Sequence, residues 1–402
     1  MNGLSQTIQT IFRPHHGWFG LAAALLLTCI GLEAIHTAPI NPGEVDYASI
    51  QGKRWLLPAL AAMVVCMFPH PRTIGLAAYP LLAFAVLLLV FLITPGVPRE
   101  IVPIRNGARS WINLHYMMFQ PSEVTKIVFV LALAWYLRYR KSFRILGGLL
   151  VPFLIMFIPV GLILKEPDLG TALLFAPTLF AVLAAAGAKL RHLGGLLLVG
   201  FAMIAINVAI IAYDAPNWMH LLKPHQEARI KAMLWPQRYK MQEGYQQLVA
   251  MRLVGAGQIS GVGYNDALTL VRFNGLPFDH NDMIFAVIAI RWGLVGCLLV
   301  LSLYLVLVSS FLAVAARSKD PFARLSCVGF AALFFTQFSI NIAINIGLLP
   351  VTGITLPLVS YGGSSLVATY AMLGLMLNFA AYRPTNISRP SFEFDRSEDL
   401  YQ

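Results

Sequence analysis

Residues 193–212 read LGGLLLVGFAMIAINVAIIA and contain no charged side chain. A helix needs about 20 mostly apolar residues to cross the hydrocarbon core of a bilayer, so this run predicts a membrane-spanning helix. Comparable runs recur along the chain, beginning at Trp18, Trp55, Thr73, Ser122, Ile145, Leu169, Leu193, Met283, Arg324 and Ser364. The sequence therefore predicts an all-α, polytopic membrane protein with about ten transmembrane helices.

The composition agrees with this class. Of the 402 residues, 58% are hydrophobic and 12% are charged, whereas soluble domains are about 45–50% apolar and about 25% charged. We expect one transmembrane domain over residues 1–385, which includes a large outer loop over residues 214–282. The polar residues 386–402 are expected to form a flexible cytoplasmic tail.

The distribution of Lys and Arg predicts the orientation. With a cytoplasmic N-terminus, the inner segments hold 14 basic residues and the short outer loops hold 6. Because cytoplasmic loops collect Lys and Arg, this bias favours N-in and C-in termini. The same rule accounts for most of the net charge of +11 without a nucleic-acid partner, and the remainder suits membrane lipids or a phosphate-bearing substrate.

Ionisable groups at membrane depth are candidates for function, because burying them is costly. Glu123 and Lys126 share one helix face at i,i+3 spacing, either as a mutually neutralised pair or as substrate-facing groups. Asp282 precedes the eighth apolar run, either as a helix N-cap or as a partly buried carboxylate whose raised pKa suits a general base.

The sequence gives little support to a metal centre or a nucleotide site. His15 and His16 are adjacent rather than four residues apart, so we expect no metal among the site residues. The glycines at 255, 257, 261 and 263 do not have the dinucleotide spacing or its strand–turn–helix context. We expect a flexible or tightly turned outer segment there and no nucleotide cofactor.

Six ordered blocks across roughly residues 15–385 resemble the SEDS family (shape, elongation, division and sporulation), which includes RodA, FtsW and SpoVE. These blocks are NGARSWI at 106–112, FQPSE at 119–123 with Lys126, EPDLGTAL at 166–173, GYQ at 244–246, HNDMIF at 280–285, and PVTG at 350–353 running to SYGGSS at 360–365.

The resemblance implies a fold, an activity and a partner. The fold has ten transmembrane helices with a large extracellular or periplasmic loop before helix eight. The activity is that of an inverting peptidoglycan glycosyltransferase in the cytoplasmic (inner) membrane. The enzyme polymerises lipid II and binds the growing glycan, which is linked to undecaprenyl pyrophosphate. The partner is a class B penicillin-binding protein. The 168–173 and 222–230 segments lean toward RodA, the elongation and cell-shape member, over the division member FtsW.

The resemblance also implies roles for particular residues. The catalytic aspartate falls on Asp282. Substrate binding falls on Arg109, Trp111, Glu123, Lys126, Asp168, Arg229 and Ser364. One displacement with inversion needs one base, and the pyrophosphate leaving group needs positive charge, from Arg109, Lys126 or a divalent cation such as Mg²⁺ or Mn²⁺.

The sequence departs from the family pattern around the aspartate. Members usually carry Pro-Glu before this block and two glutamates about eight residues after it. Here Pro277 is followed by Phe278, and the later positions are Ile290 and Arg291. We predict that Arg291 pairs with a carboxylate on a neighbouring helix, with Glu33 as one candidate. A lipid II flippase and a weakened scaffold for a penicillin-binding protein remain alternatives.

Overall fold

The structure is a computed structural model that describes residues 15–37, 46–104, 108–115, 117–213, 224–239, 244–276 and 280–382. It is almost entirely helical. The helices up to the large outer loop are α1 Gly17–Thr37, α2 Tyr47–Ile50, a π-helical turn Gln51–Trp55, α3 Leu56–Met67, α4 Pro71–Ile93, α5 Pro121–Leu137, α6 Leu150–Lys165, α7 Leu169–Ala186 and α8 Leu190–Ala212. Two 3₁₀ turns, Ser142–Arg144 and Leu146–Leu149, precede α6.

The described parts of the outer loop and of the C-terminal region are also mostly helical. They contain α9 Pro224–Leu234, α10 Gly244–Ala256, α11 Tyr264–Asn274, α12 Ile284–Arg317, α13 Pro321–Asn345 and α14 Gly363–Ala381. Before α5, the first outer loop forms an antiparallel pair, β1 Ile112–Asn113 with β2 Met118–Phe119, in which Ile112 pairs with Phe119. The predicted tail 386–402 and the departure at Pro277 and Phe278 lie outside the described residues.

Eight of the described helices are long and apolar enough to cross a membrane: α1, α4, α6, α7, α8, α12, α13 and α14. The other two predicted spans also fall on helices. One is the continuous helical stretch 47–67, and the other is α5, with 17 residues. The all-α, multi-pass prediction is confirmed, while the count of ten and the N-in/C-in orientation stay predictions.

Local sequence signals set several helix starts. His70 accepts a hydrogen bond from Arg72 N, and Pro71 occupies the first turn of α4. Asp320 caps α13 in the same way, followed by Pro321. A side-chain acceptor and a proline both suit a helix N-terminus, where the first amides have no intrahelical partner.

Helix α13 lies at the centre of the bundle and contacts α5, α7 and α12, while α12 also packs along α1, and α3 along α14. Most of α14 is buried, whereas almost none of α8 is. Apolar side chains on α8 and α12 are exposed, as expected for faces that contact lipid. The bundle therefore has a protein-packed centre and a lipid-facing rim.

Candidate active site

Asp282 lies just before the N-terminus of α12 and is held there by its backbone. Its carbonyl oxygen accepts hydrogen bonds from Asn341 Nδ2 at 2.9 Å and Asn345 Nδ2 at 3.0 Å, both on α13. The N-cap residue of α12 is Met283, with no side-chain cap. The N-cap alternative for Asp282 is therefore wrong, and its carboxylate is available for another role.

The surroundings of Asp282 favour a general base. The pKa of Asp282 is raised to about 6, chiefly by burial and to a smaller extent by the charge of Asp168, while the charges of Arg229 and His280 act against the rise. A carboxylate with this pKa is mostly ionised at pH 7 and binds a proton more readily than an ordinary aspartate. Gly353 approaches it closely, since a Cβ there would lie 3.7 Å from Asp282 Oδ2.

Asp168 belongs to the same cluster. It caps α7 through a hydrogen bond from Thr171 N to Oδ1 at 2.9 Å, and Gln120 Nε2 donates to Oδ2 at 3.3 Å. Burial raises the pKa of Asp168, the Thr171 hydrogen bonds lower it, and Glu123 and Lys126 act on it with opposite signs. The fold thus brings Asp168, Asp282 and the Glu123–Lys126 pair into electrostatic range of one another.

Glu123 and Lys126 form a buried ion pair. Lys126 Nζ lies 2.9 Å from Glu123 Oε1, and the side chains are 3% and 8% exposed. Lys126 Nζ also donates to Gln337 Oε1 at 3.4 Å. The ion-pair alternative is therefore observed, and Lys126 also links α5 to α13 through Gln337.

Among the charged groups near Asp282, Arg229 lowers the pKa of its carboxyl group most. It comes from α9 in the large outer loop, and its Nη1 donates to Val351 O at 3.1 Å. This contact uses one of the five guanidinium N–H groups. The outer loop therefore delivers a positive charge to the mouth of the bundle.

Ser364 ties the start of α14 to the first outer loop. Its hydroxyl donates to Met118 O at 2.9 Å and accepts from Gln120 N at 3.1 Å. In the preceding glycine-rich segment, Gly362 N donates to Gln51 Oε1 at 3.0 Å. The irregular backbone is thus satisfied by protein groups, as it must be at membrane depth.

The other two predicted substrate-binding residues, Arg109 and Trp111, lie in the first outer loop. Arg109 Nη2 donates to Val97 O at 3.0 Å, and Trp111 is half-buried before β1. No contact recorded among the described residues joins either side chain to the carboxylates. The link is indirect, since Ser110 Oγ donates to Glu166 O at 3.2 Å.

Glu166 is a second acidic group beside Asp168 that the sequence did not single out for chemistry. Its side chain is buried, and neither carboxyl oxygen has a hydrogen-bond partner among the described residues. Burial, followed by the charge of Asp168, raises the pKa of Glu166 to about 9. Glu166 is therefore protonated at neutral pH and adds no negative charge to the site.

An apolar cavity of about 480 Å³ adjoins the cluster. It lies between α3, α4, α5 and α14, and Ser364 is its polar contact with the site. Its walls include Trp55, Leu81, Phe119, Leu131 and Ala371. A cavity of this kind takes a hydrocarbon group more readily than a polar one.

Sequence reasoning missed the polar residues of α13. Gln337, Asn341 and Asn345 are buried and recur every fourth residue, which places them on one helix face. Amides at that spacing in an apolar span are a signal for a polar face turned into the bundle. This spacing was the sequence signal for the hydrogen bonds that α13 makes with Lys126 and with the Asp282 carbonyl.

Comparisons with known proteins agree with this arrangement. The family model for FtsW, RodA and SpoVE, described as cell cycle protein, matches residues 18–385. The chain is 32% identical to a probable peptidoglycan glycosyltransferase FtsW of Pseudomonas fluorescens, over 94% of this chain and 91% of that protein. It is 33% identical to the peptidoglycan glycosyltransferase MrdB of Escherichia coli K12, over 81% and 83%.

Solved structures show the same fold. A chain from a peptidoglycan synthase complex that coordinates polymerization and crosslinking superposes with a TM-score of 0.74 at 32% identity, covering 92% of this chain and 98% of that one. RodA of Thermus thermophilus superposes with a TM-score of 0.66 at 28% identity and the same coverage. The FtsW and MrdB identities are too similar to separate the subgroups. The chain belongs to the SEDS family, the FtsW, RodA and SpoVE proteins.

Proposed function

We propose that the protein is an inverting peptidoglycan glycosyltransferase, which polymerises lipid II at the outer face of the cytoplasmic membrane. The observation that carries this proposal is the Asp282 carboxylate, with a pKa raised to about 6 and an arginine of the outer loop nearby. The proposal is supported by the FtsW and MrdB relatives, which are named as peptidoglycan glycosyltransferases.

In the proposed reaction, a sugar hydroxyl of one substrate attacks the anomeric carbon of the other. The hydroxyl proton passes to the Asp282 carboxylate as the new glycosidic C–O bond forms. The bond between the anomeric carbon and the pyrophosphate oxygen breaks, and undecaprenyl pyrophosphate leaves with the electron pair. Because the attack and departure occur on opposite faces, the anomeric configuration inverts.

The departing pyrophosphate needs positive charge rather than a proton. Arg229 is suited to this role, since it acts on Asp282 and most of its N–H groups are not used by Val351. Lys126 is less suited, because Glu123 already neutralises it. Arg109 is a further candidate for stabilising the pyrophosphate if the substrate extends to the first outer loop.

A divalent cation fits the site only as a substrate-borne ion. The described residues contain no group of three or more His, Cys, Asp or Glu side chains that could hold a metal. Mg²⁺, however, commonly binds through one or two carboxylates plus substrate phosphates. Asp168, together with the substrate phosphates, would hold Mg²⁺ or Mn²⁺, which would supply charge to the leaving group and leave the Asp282 carboxylate to accept the proton.

The apolar cavity suits the polyprenyl tail. Its lining is almost wholly apolar, and it meets the polar cluster at Ser364. A lipid-linked substrate has the same division between an apolar chain and a polar head. We infer that the tail occupies this cavity, while the pyrophosphate and the sugars stay beside Asp282.

We also propose a class B penicillin-binding protein as partner and a role in cell elongation. The complex-derived neighbour coordinates polymerization and crosslinking, which supports a crosslinking partner. The 168–173 and 222–230 segments resemble RodA more than FtsW. Depletion of the protein should therefore give round cells if it acts in elongation, and filaments if it acts in division.

The test is polymerisation of labelled lipid II by the purified protein with its penicillin-binding partner and Mg²⁺ or Mn²⁺. Replacing Asp282 by Asn or Ala should slow glycan formation by about 10²–10⁴-fold, which is about 3–5 kcal/mol of barrier. Asp266→Asn, which alters an exposed carboxylate on α11, is the matched control and should leave the rate unchanged.

Other outcomes would favour the alternatives. If the wild-type complex assembles but makes no glycan, while lipid II crosses vesicle membranes, the protein is a flippase. If neither activity appears and cells carrying Asp282→Ala grow normally, the protein is a scaffold. Glycan chains of equal yield from wild type and Asp282→Ala would remove Asp282 from the role of base.

A further inference from the structure

Helix α12 is interrupted close to the site. Gly293 has φ 64° and ψ −160°, so the helix consists of a short outer segment, residues 284–292, and a long inner one. A connector, residues 257–263 between α10 and α11, docks at this break. Four backbone hydrogen bonds join them: Val262 N to Ile290 O, Gly263 N to Arg291 O, Leu294 N to Gln258 O and Val295 N to Ile259 O.

The connector satisfies the groups that the break exposes. The carbonyls before Gly293 and the amides after it would normally bond to each other within the helix. Instead each bonds to the connector at 2.9–3.3 Å. Glycines permit this approach, because a Cβ at Gly257 would lie 1.9 Å from Ala289 O and one at Gly261 2.2 Å from Arg291 O.

The side chain of Arg291 extends this junction to α1. Its Nη2 lies 3.0 Å from Glu33 Oε2, which confirms the predicted pairing, and its Nη1 donates to Glu33 O at 2.6 Å. Nη1 also donates to the hydroxyl of Thr37, the last residue of α1. A cation at the C-terminal end of a helix is favourable, because the last carbonyls lack intrahelical partners.

Aromatic contacts complete the junction. The guanidinium carbon of Arg291 lies 5.0 Å from the ring centroid of Tyr264 and 4.3 Å from that of Trp292. The Tyr264 hydroxyl lies 3.2 Å from His36 Nδ1. Arg291 thus joins α1, the start of α11 and the outer segment of α12.

The ion pair is the weaker part of this junction. The Glu33 side chain is 64% exposed, whereas that of Arg291 is 14% exposed. Exposed ion pairs contribute little to stability. The contact with the hydroxyl of the fully buried Thr37 is better shielded from water than the ion pair, and we expect it to contribute more.

We propose that Arg291 is a positioning residue for Asp282, which fixes the outer segment of α12 between α1 and the connector. The segment is held at its start by Asn341 and Asn345, through the Asp282 carbonyl, and at its end by Arg291. Asp282 therefore keeps its burial in the bundle and the orientation of its carboxylate only while both ends of the 284–292 segment are fixed. This inference rests on the proposed function for its catalytic consequence, but its structural consequence is independent of it.

The structural consequence is tested by hydrogen–deuterium exchange of the purified full chain. Arg291→Met should speed exchange in peptides that contain the Val262, Gly263, Leu294 and Val295 amides. Glu33→Gln, which retains the carbonyl and Thr37 contacts, should change exchange much less. Arg252→Met, an exposed arginine on α10, is the control and should leave these peptides unchanged.

The catalytic consequence is tested by the pH profile of lipid II polymerisation. A more accessible Asp282 loses part of the desolvation that raises its pKa, while Arg229, His280 and Asp168 remain in place. In Arg291→Met the pH at which kcat falls on the acidic side of the profile (the acidic limb) should therefore be lower than in wild type. The maximal kcat should fall about tenfold, while KM should stay within about twofold of the wild-type value. General loss of folded protein would lower the yield of active enzyme without moving the limb.

The outcomes separate the two proposals. Faster exchange in Arg291→Met with an inactive wild type would overturn the proposed function and retain the junction. Unchanged exchange, or faster exchange with an unmoved acidic limb in an active enzyme, would overturn the positioning role. If Arg291→Met does not fold, Thr37→Val, which removes one guanidinium acceptor, is judged by the same two measurements.

Discussion

At the scale of the residue, Asp282 combines a buried carboxylate with a nearby cation. Burial raises its pKa, and Arg229 and His280 limit the rise, so the value settles at about 6. A general base works best when its pKa lies near the operating pH and it is still ionised. Asp168 and protonated Glu166 complete an acidic cluster that carries less negative charge than its composition suggests.

The pH dependence of the reaction follows from this pKa. The base is ionised above pH 6 and protonated below it, so kcat should fall as the pH drops through about 6. Initial rates of polymerisation from pH 5 to 8 measure this limb. A rate that stays constant down to pH 5 would mean that Asp282 titrates like an exposed aspartate, and the account of its burial would be wrong.

Two residue-level expectations had different outcomes for physical reasons. The pairing of Arg291 with Glu33 was predictable, because an arginine in an apolar run requires an anionic or carbonyl partner. The N-cap alternative for Asp282 was wrong, because capping depends on backbone geometry within one residue of the helix start. The sequence pattern locates a helix start less sharply than that.

At the scale of the element, α13 is the support for the site. Gln337 binds Lys126 and donates to Thr355 O at 3.0 Å. Asn341 donates to Asp282 O and to Ile354 O at 2.7 Å. One helix face thus holds the start of α12, the ion pair of α5 and the segment before α14.

Removing one amide from this face tests the support. Asn341→Leu leaves the buried Ile354 carbonyl without its donor and weakens the hold on Asp282, at a cost of about 1–3 kcal/mol. A thermal unfolding assay in detergent should show a lower midpoint than wild type. Asn207→Leu changes a partly exposed amide on α8 that bonds only within its own helix among the contacts of the described residues. It is the matched control, and equal losses in both variants would contradict the assigned role of α13.

At the scale of the whole molecule, the polar cluster and the apolar cavity lie side by side. The cluster is assembled from α5, α7, α9, α12 and α13, and the cavity from α3, α4, α5 and α14. Helix α5 and Ser364 belong to both. A lipid-linked substrate can therefore be held by its head and its tail at the same time.

Filling the cavity should weaken this hold. Ala371→Trp places an indole in the cavity, so KM for lipid II should rise about tenfold, which is about 1.4 kcal/mol of lost binding. Ala61→Trp, on an exposed part of α3 outside the cavity lining, should leave KM unchanged. A normal KM in Ala371→Trp would place the polyprenyl tail elsewhere.

The class of fold follows from the amino-acid sequence alone. Apolar runs of membrane length and the scarcity of charge leave the helix as the structure that satisfies its own backbone in lipid. Ordered motifs also identified the family, and they predicted which acidic residues belong to its site. These properties are local in the chain, or follow from resemblance, so they require no knowledge of which helices touch.

The environment of these residues, by contrast, depends on contacts between distant helices. The amides that hold Asp282 lie on another helix, Arg229 arrives from the large outer loop, and the break at Gly293 is satisfied by a connector that precedes it in sequence. The pKa of Asp282 depends on burial and on charges brought together across these elements. Such contacts arise from packing between distant segments, which the periodicity of any one segment does not specify.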